Sequence, residues 1–273
     1  MKQNEWTRDK NNNAVSAMDE TWLAGRFKLF ENYCLPSLKA QKCKNFKWLV
    51  YFDTDTPESY REKIDSIQRS FENFSPRFIQ GMSHLLSSVK ADIGSDATDN
   101  SVIITTRLDN DDSLSETFIE QVQSFIKNKS IINGVVDVPN GYCLQIKPVA
   151  VLSATIQYSN AFVTYVEPYV SGDKLVTVMD KAHGEWAYSV KTDMITKQRL
   201  WMQIIHENNI VNKVQGIIVN SEEELQKFNL ATRIVFQKSS LWQVIYNNWI
   251  KFPLYLIKKK MKNLWIKRRL IVK

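Results

Sequence analysis

The sequence predicts an α/β fold with a mostly parallel central sheet and flanking helices. Three observations predict it. Apolar runs of strand length alternate with stretches whose apolar residues recur every three or four positions, the pattern of strand–helix–strand crossovers. One run, Val102 to Leu108, is rich in β-branched and apolar residues and stops on Asp109, Asp111 and Asp112. That reads as a strand buried on both faces whose carboxyl end meets a ligand. Finally, 273 residues at 44% hydrophobic content are enough for one large core.

Residues 1–20 are polar and Asn-rich and give no convincing strand. From Asp19 a helix is predicted, with Leu23, Phe27, Phe30 and Cys34 on one face and Pro36 near its stop. Phe46 to Phe52 reads as a strand ending in Asp53-Thr-Asp55, and a helix follows from Thr56-Pro-Glu58 to about Phe71. A short strand at Arg77–Gln80 and a short helix over 83–91 precede the acid-terminated strand. Ser113 and Glu116 match a capping box, so the helix carrying Phe118, Ile119, Val122, Phe125 and Ile126 is expected to start there. Residues 131–170 look strand-rich, 171–193 loop-like, and Arg199 to His206 helical.

Charge divides the chain in two. Residues 225–273 hold twelve Lys or Arg and no Asp or Glu, against a net +7 for the whole chain, so the remainder is net −5. The predicted organisation is therefore a catalytic domain over 1–224 and a basic amphipathic tail over 225–273. Cys34, Cys43 and Cys143 form no CxxC pair and suit a reducing compartment. There is no apolar signal segment and no apolar run long enough to span a bilayer, so a cytoplasmic location is expected.

Three acids within four residues repel one another unless a cation sits among them, and a divalent metal with oxygen ligands is the simplest one. Asp109-x-Asp111 can present two carboxylates to one ion; the alternative is a solvated turn capped by Asp and Asn. A calcium EF-hand is excluded, because Leu114 stands where the loop needs glycine and a strand precedes it. No GxxxxGK[ST] or GxGxxG is present, so no backbone cradle for phosphates is visible. A bound nucleoside diphosphate would need a metal and side chains to neutralise it. A metal-held diphosphate is the leaving group of glycosyl transfer.

Trp22-Leu-x-x-Arg26-x-x-Leu-Phe-Glu31, Tyr33-Cys-Leu-Pro-Ser-Leu38, Gln41 and Phe46-x-Trp-Leu-Val-Tyr-Phe-Asp53 resemble the rhamnosyltransferase family of bacterial glycosyltransferases. Thr106-Arg-Leu-Asp-Asn-Asp-Asp112 matches its acidic motif, and Trp201-Met-Gln-Ile-Ile-His206 with Asn209 and Asn212 its late segment. The resemblance covers roughly residues 20–220. It implies a GT-A fold, a nucleotide-diphosphosugar donor and a divalent metal, Mn or Mg. It also implies an apolar first strand ending in Thr-Arg. Here Trp6-Thr-Arg8 follows only Met-Lys-Gln-Asn-Glu, so that strand is expected to be truncated.

These readings name the candidate residues. Asp109, Asp111 and Asp112 would hold the metal, with His183 completing the shell or merely exposed. Asp53 would contact the nucleoside or cap its own turn. Arg107 and Asp109 would meet the donor phosphates, or Arg107 would bridge Asp111. His206 is expected to cap a helix or sit in the core. The general base would be Glu167, Asp180 or Glu185, with Glu167 favoured because it follows an apolar strand-like run. The acceptor would be a glycan or a lipid-linked sugar, reached by a tail whose Trp, Tyr and Lys suit the inner face of an anionic membrane. Nucleic acid is a weaker partner, since no recognised module accompanies the basic patch. Competing functions are nucleotidyl transfer, sugar-nucleotide hydrolysis, and an inactive membrane-associated scaffold.

Overall fold

The computed structural model describes residues 20–207, 216–236, 241–254 and 257. The expected first strand near Trp6, Asn209 and Asn212, and the lysines after Ile257 lie outside them. Helix α1 (Glu20–Leu29) continues through a π-helical turn, Phe30–Cys34, into α2 (Leu35–Lys39). Pro36 does not stop the helix. It falls in the first turn of α2, where a missing N–H costs nothing, and the wide turn closes with the Leu35 N–H on the Phe30 carbonyl.

Strand β1 (Trp48–Asp53), helix α3 (Glu58–Ser70) and strand β2 (Phe74–Ile79) form a parallel crossover unit, with Trp48 opposite Phe74 and Asp53 opposite Ile79. Tyr60, Ile64 and Ile67 supply the buried stripe of α3 at helical spacing. Helix α4 (Leu85–Asp96) is pinned beneath through Asp92, which accepts from Tyr51 Oη at 2.7 Å and Arg77 Nε at 2.8 Å. Then come β3 (Ser101–Thr106), β4 (Ser113–Leu114), α5 (Phe118–Lys129), β5 (Gly134–Asp137), β6 (Asn140–Gln145), β7 (Val151–Ile156), β8 (Thr164–Tyr169), β9 (Thr192–Met194), β10 (Trp201–Ile205) and β11 (Ile217–Ile218). Helices α6 (Glu222–Gln226) and α7 (Leu241–Ile245) follow, and α7 runs on through a second π-helical segment, Tyr246–Lys251.

The sheets are mixed rather than mostly parallel. Besides the β1–β2 pair, a five-stranded sheet runs β11-β7-β6-β10-β4 and a four-stranded sheet runs β3-β8-β5-β9. Only β6–β10 and β5–β9 are parallel within those two; hairpins and returns over 134–169 make the rest antiparallel. Three local expectations change with them. Among the described residues strand β3 pairs with β8 alone, and Val102 and Ile104 on one of its faces are 45% and 37% exposed, so it is not buried on both faces. Residues 201–205 form a strand, not a helix: all five side chains are buried, inserted between β6 and β4. Ser113 caps no helix. It sits in β4 and donates to the Tyr33 carbonyl at 2.7 Å, while α5 starts at Phe118 without a side-chain cap.

The largest core cluster joins Phe27, Ile64, Phe74, Phe118, Val136 and Trp201, so it binds the helices to both larger sheets. A second cluster packs Leu144, Leu152 and Ile204 against Leu225 and Phe228, which carries the packed body past Glu224. Trp201 is a close-packed joint of the first cluster. Its ring stacks on Phe162 at 4.7 Å, its Nε1–H donates to the Val138 carbonyl at 2.6 Å, and it lies over Gly141, its neighbour on β6. A Cβ on Gly141 would meet that ring at 2.2 Å. Gly141→Ala is therefore expected to cost about 1–3 kcal/mol through overpacking, read as a lower midpoint in urea unfolding.

Candidate active site

The acid turn follows β3 directly. The Arg107 N–H still reaches the Val163 carbonyl at 3.5 Å, and the hydroxyls of Thr106 and Thr164 pair at 2.7 Å. The chain then turns, with the Asp112 N–H on the Asp109 carbonyl at 3.1 Å. The segment from Tyr33 to Gln41 clamps this turn from one side. Besides Ser113 on Tyr33, the Leu114 N–H donates to Ser37 Oγ, and Gln41 donates to the Ser115 carbonyl at 2.7 Å and accepts from the Ile119 N–H at 3.1 Å. From the other side, β10 pairs with β4, and the Ser115 N–H reaches the Leu200 carbonyl at 2.9 Å.

Within this frame the three acids take different roles. Asp111 is buried, and its Oδ2 accepts from Arg26 Nη1 at 3.1 Å and from His206 Nε2 at 3.0 Å. Burial works to raise this carboxyl, but the His206 hydrogen bond and the Arg26 charge prevail and hold it below the usual range. Asp112 is almost wholly enclosed. Its Oδ1 accepts from the Ile204 N–H at 3.0 Å, and its buried Oδ2 has no hydrogen-bond partner among the described residues. Burial, with Asp111 and Asp109 beside it, pushes Asp112 well above the usual range, so it retains a proton far more readily than its neighbour. Asp109 faces outward with its side chain 40% exposed, and it takes Arg107 Nε and Nη2 at 3.3 and 3.2 Å.

These positions bear on the expected metal set. Asp112 looks inward at a backbone amide, and His183 lies in the 181–189 loop with Nδ1 2.6 Å from the Ser159 carbonyl. Among the described residues no three His, Cys, Asp or Glu side chains gather as ligands. Among the described residues both hydrogen bonds to Asp111 fall on Oδ2 and none on Oδ1. The residues therefore fit an ion shared with substrate oxygens at Asp109 and Asp111, and do not fit a closed protein cage.

Asp53 belongs to the same end of the molecule. Phe27 stacks on Phe52 at 6.1 Å, so α1 connects the carboxyl end of β1 to the acid turn through the adjacent Arg26. Asp53 Oδ1 accepts from the Asp55 N–H at 2.9 Å, so it caps its own turn through that oxygen. Arg107 pairs with Asp109, and Asp111 is bridged instead by Arg26. His206 lies at the end of strand β10 and reaches the acid turn, where the sequence placed it at a helix terminus. Arg26 was visible only as a matched letter of the family motif, because a cation 85 positions away from its carboxylate leaves no local signal.

The candidate bases are dispersed. Glu167 lies opposite Ile103, six residues and up to about 20 Å of extended chain before Asp109. It is buried, which raises its carboxyl, with Oε2 on the Val176 N–H and Oε1 unpartnered. Asp180 is committed to Lys90 Nζ at 2.6 Å and to the Thr177 N–H at 2.8 Å. Its burial is outweighed by these partners, so it stays below the usual range. Glu185 is exposed and only steadies its own loop, accepting from the Ala182 N–H at 3.3 Å. That loop is fastened by His183 to Ser159. The Ser159 N–H in turn donates to Asp137, at the carboxyl end of β5.

A separate open cleft of about 420 Å³ lies between residues 146–150 and 232–235. Tyr33 lines it, but none of the three acids does.

The family described as "Putative rhamnosyl transferase" matches residues 3–217 of the chain. None of the curated proteins compared with the chain matches it significantly.

The Arg26–Asp111 pair supplies a direct stability prediction. Arg26→Ala leaves a buried carboxylate with one partner fewer and is expected to cost about 3 kcal/mol at neutral pH. Asp111 titrates below its unfolded value of 3.8, so its contribution is present above that value and is lost as pH falls through the lower folded one. The gap in urea midpoint between Arg26→Ala and the parent should therefore narrow on acidification below about pH 4.

Proposed function

The chain belongs to the rhamnosyl transferase family, and from that premise we propose that it transfers a sugar, with rhamnose the family's namesake, from a nucleotide-diphosphate donor to a glycan or lipid-linked acceptor. The observation that carries the reading is Asp109 with Arg107, a carboxylate and a guanidinium whose side chains are 40% and 36% exposed at the end of β3. Arg107 binds the donor phosphates through its planar fork. Asp109, with Oδ1 of Asp111, is where a divalent ion such as Mn or Mg would sit, and such an ion supplies charge neutralisation as the diphosphate departs. The inward hydrogen bonds of Asp111 and Asp112 keep this edge rigid, so its charges are already oriented before the donor arrives.

A general base must come within hydrogen-bond reach of the acceptor hydroxyl. Glu167 is enclosed and Asp180 is committed to Lys90, so the reading assigns that part to Glu185, exposed on the loop held by His183. It takes the acceptor proton while the hydroxyl oxygen attacks the anomeric carbon and the diphosphate leaves. Glu185→Gln should lower kcat by about a hundredfold or more while donor binding is kept, as measured by steady-state kinetics.

The donor site is tested at Asp109, because substituting Asp111 would also disturb folding. A nucleoside diphosphate with Mn²⁺ should raise the melting temperature of the parent and not that of Asp109→Asn. Turnover in the variant should fall by about a hundredfold. No stabilisation of the parent by any nucleoside diphosphate, with or without metal, would sink the donor-site reading. Product analysis with water alone and with an acceptor glycan then separates transfer from hydrolysis.

A further inference from the structure

We propose that the outer face of the C-terminal helix is a docking surface for anionic lipid, oriented by two asparagines. Helix α7, the π-helical segment after it and the turn that follows present Trp242, Tyr246, the adjacent Trp249 and Ile250, and Leu254, three or four residues from one step to the next, and all are exposed. The two tryptophans are each 79% exposed. Single exposed apolar residues are ordinary, but a contiguous row led by two bare indoles is not.

The opposite edge of the helix is already used. Asn248 accepts from the Ile218 N–H at 2.8 Å and donates to the Ile218 carbonyl at 3.2 Å, completing a strand-like pairing along β11. Asn247 donates to the Gly216 carbonyl at 3.0 Å. These bonds fix the rotation of the helix about its axis, so the aromatic row is directed away from the body. Ile217 and Val219, on and beside β11, are also exposed.

Charge selects the occupant. Between 225 and the end of the sequence there are twelve basic residues and no acid, and Lys258, Lys259, Lys260 and Lys262 follow the aromatic row in sequence. A second copy of this segment would bring like charges together, which disfavours self-association. A negative lipid surface takes both features at once. Indoles settle among the headgroups, where one edge of the ring is apolar and the other polar, and lysines add electrostatic attraction. Among the described residues no helix is long and apolar enough to cross a membrane, so the contact is interfacial.

Flotation of the full chain with vesicles tests this without any sugar donor, so the outcome is separate from that of the transferase reading. The parent should float with phosphatidylcholine vesicles containing phosphatidylglycerol, much less with phosphatidylcholine alone, and less again at high salt. Trp242→Ala/Trp249→Ala should retain the parent's melting temperature and lose about tenfold or more in partitioning. Three results would overturn the proposal: no flotation, flotation indifferent to lipid charge, or equal partitioning of parent and variant. A concentration-dependent dimer in lipid-free buffer that the double variant abolishes would also overturn it, by giving the face to a second copy.

Discussion

One buried oxygen governs the arrangement of this protein. Oδ2 of Asp111 accepts from Arg26 on α1 and from His206 at the end of β10, groups 85 and 95 positions away in sequence. A carboxylate shut away from water has to be paired, and here two cationic or polar donors converge on the same atom. The consequence is geometric as well as energetic. The first helix, the turn after β3 and the last long strand are drawn to one point, and the Tyr33–Gln41 segment then closes over the turn with backbone and amide hydrogen bonds.

That anchoring separates three adjacent acids that would otherwise repel one another. Asp111 is charged and paired, Asp112 is enclosed against the Ile204 amide and favours its proton, and Asp109 is left outward beside Arg107. Two of the acids thus hold the turn in shape and one faces outward. An acid motif at a strand end is easily taken as a set of equivalent metal ligands. In this fold burial and pairing push Asp111 and Asp112 in opposite directions, the first below the usual carboxylate range and the second well above it.

Strand direction decides what else can share the site. Because β8 runs antiparallel to β3, its last residues lie beside the first residues of β3, and Glu167 is carried away from Asp109. The same antiparallel pairing brings the start of β8 and the turn before it, with Ser159 and its bond to His183, to the acid end. The loop bearing Glu185 is held by that contact and by Trp186, which stacks on Tyr165 of β8 at 4.4 Å, while Lys90 and the Thr177 turn hold Asp180 along the flank. A parallel neighbour would have reversed these positions.

The sequence by itself determined the elements whose causes are local. The helical spacing of Tyr60, Ile64 and Ile67, the run from Trp48 to Phe52, the strands between 134 and 169, and the placing of acids at the end of β3 all follow from neighbouring residues. The family motifs were also legible, and they cover most of the packed body. Tertiary structure alone decided the direction of the strands, the pairing of β3 with β8, and the strand character of 201–205, whose five buried side chains read equally well as a helix until β6 and β4 enclose them. It also decided which acid faces outward. Burial and pairing are set by groups distant in sequence, and a carboxylate shows the same letter whether it meets Arg26, a backbone amide or water.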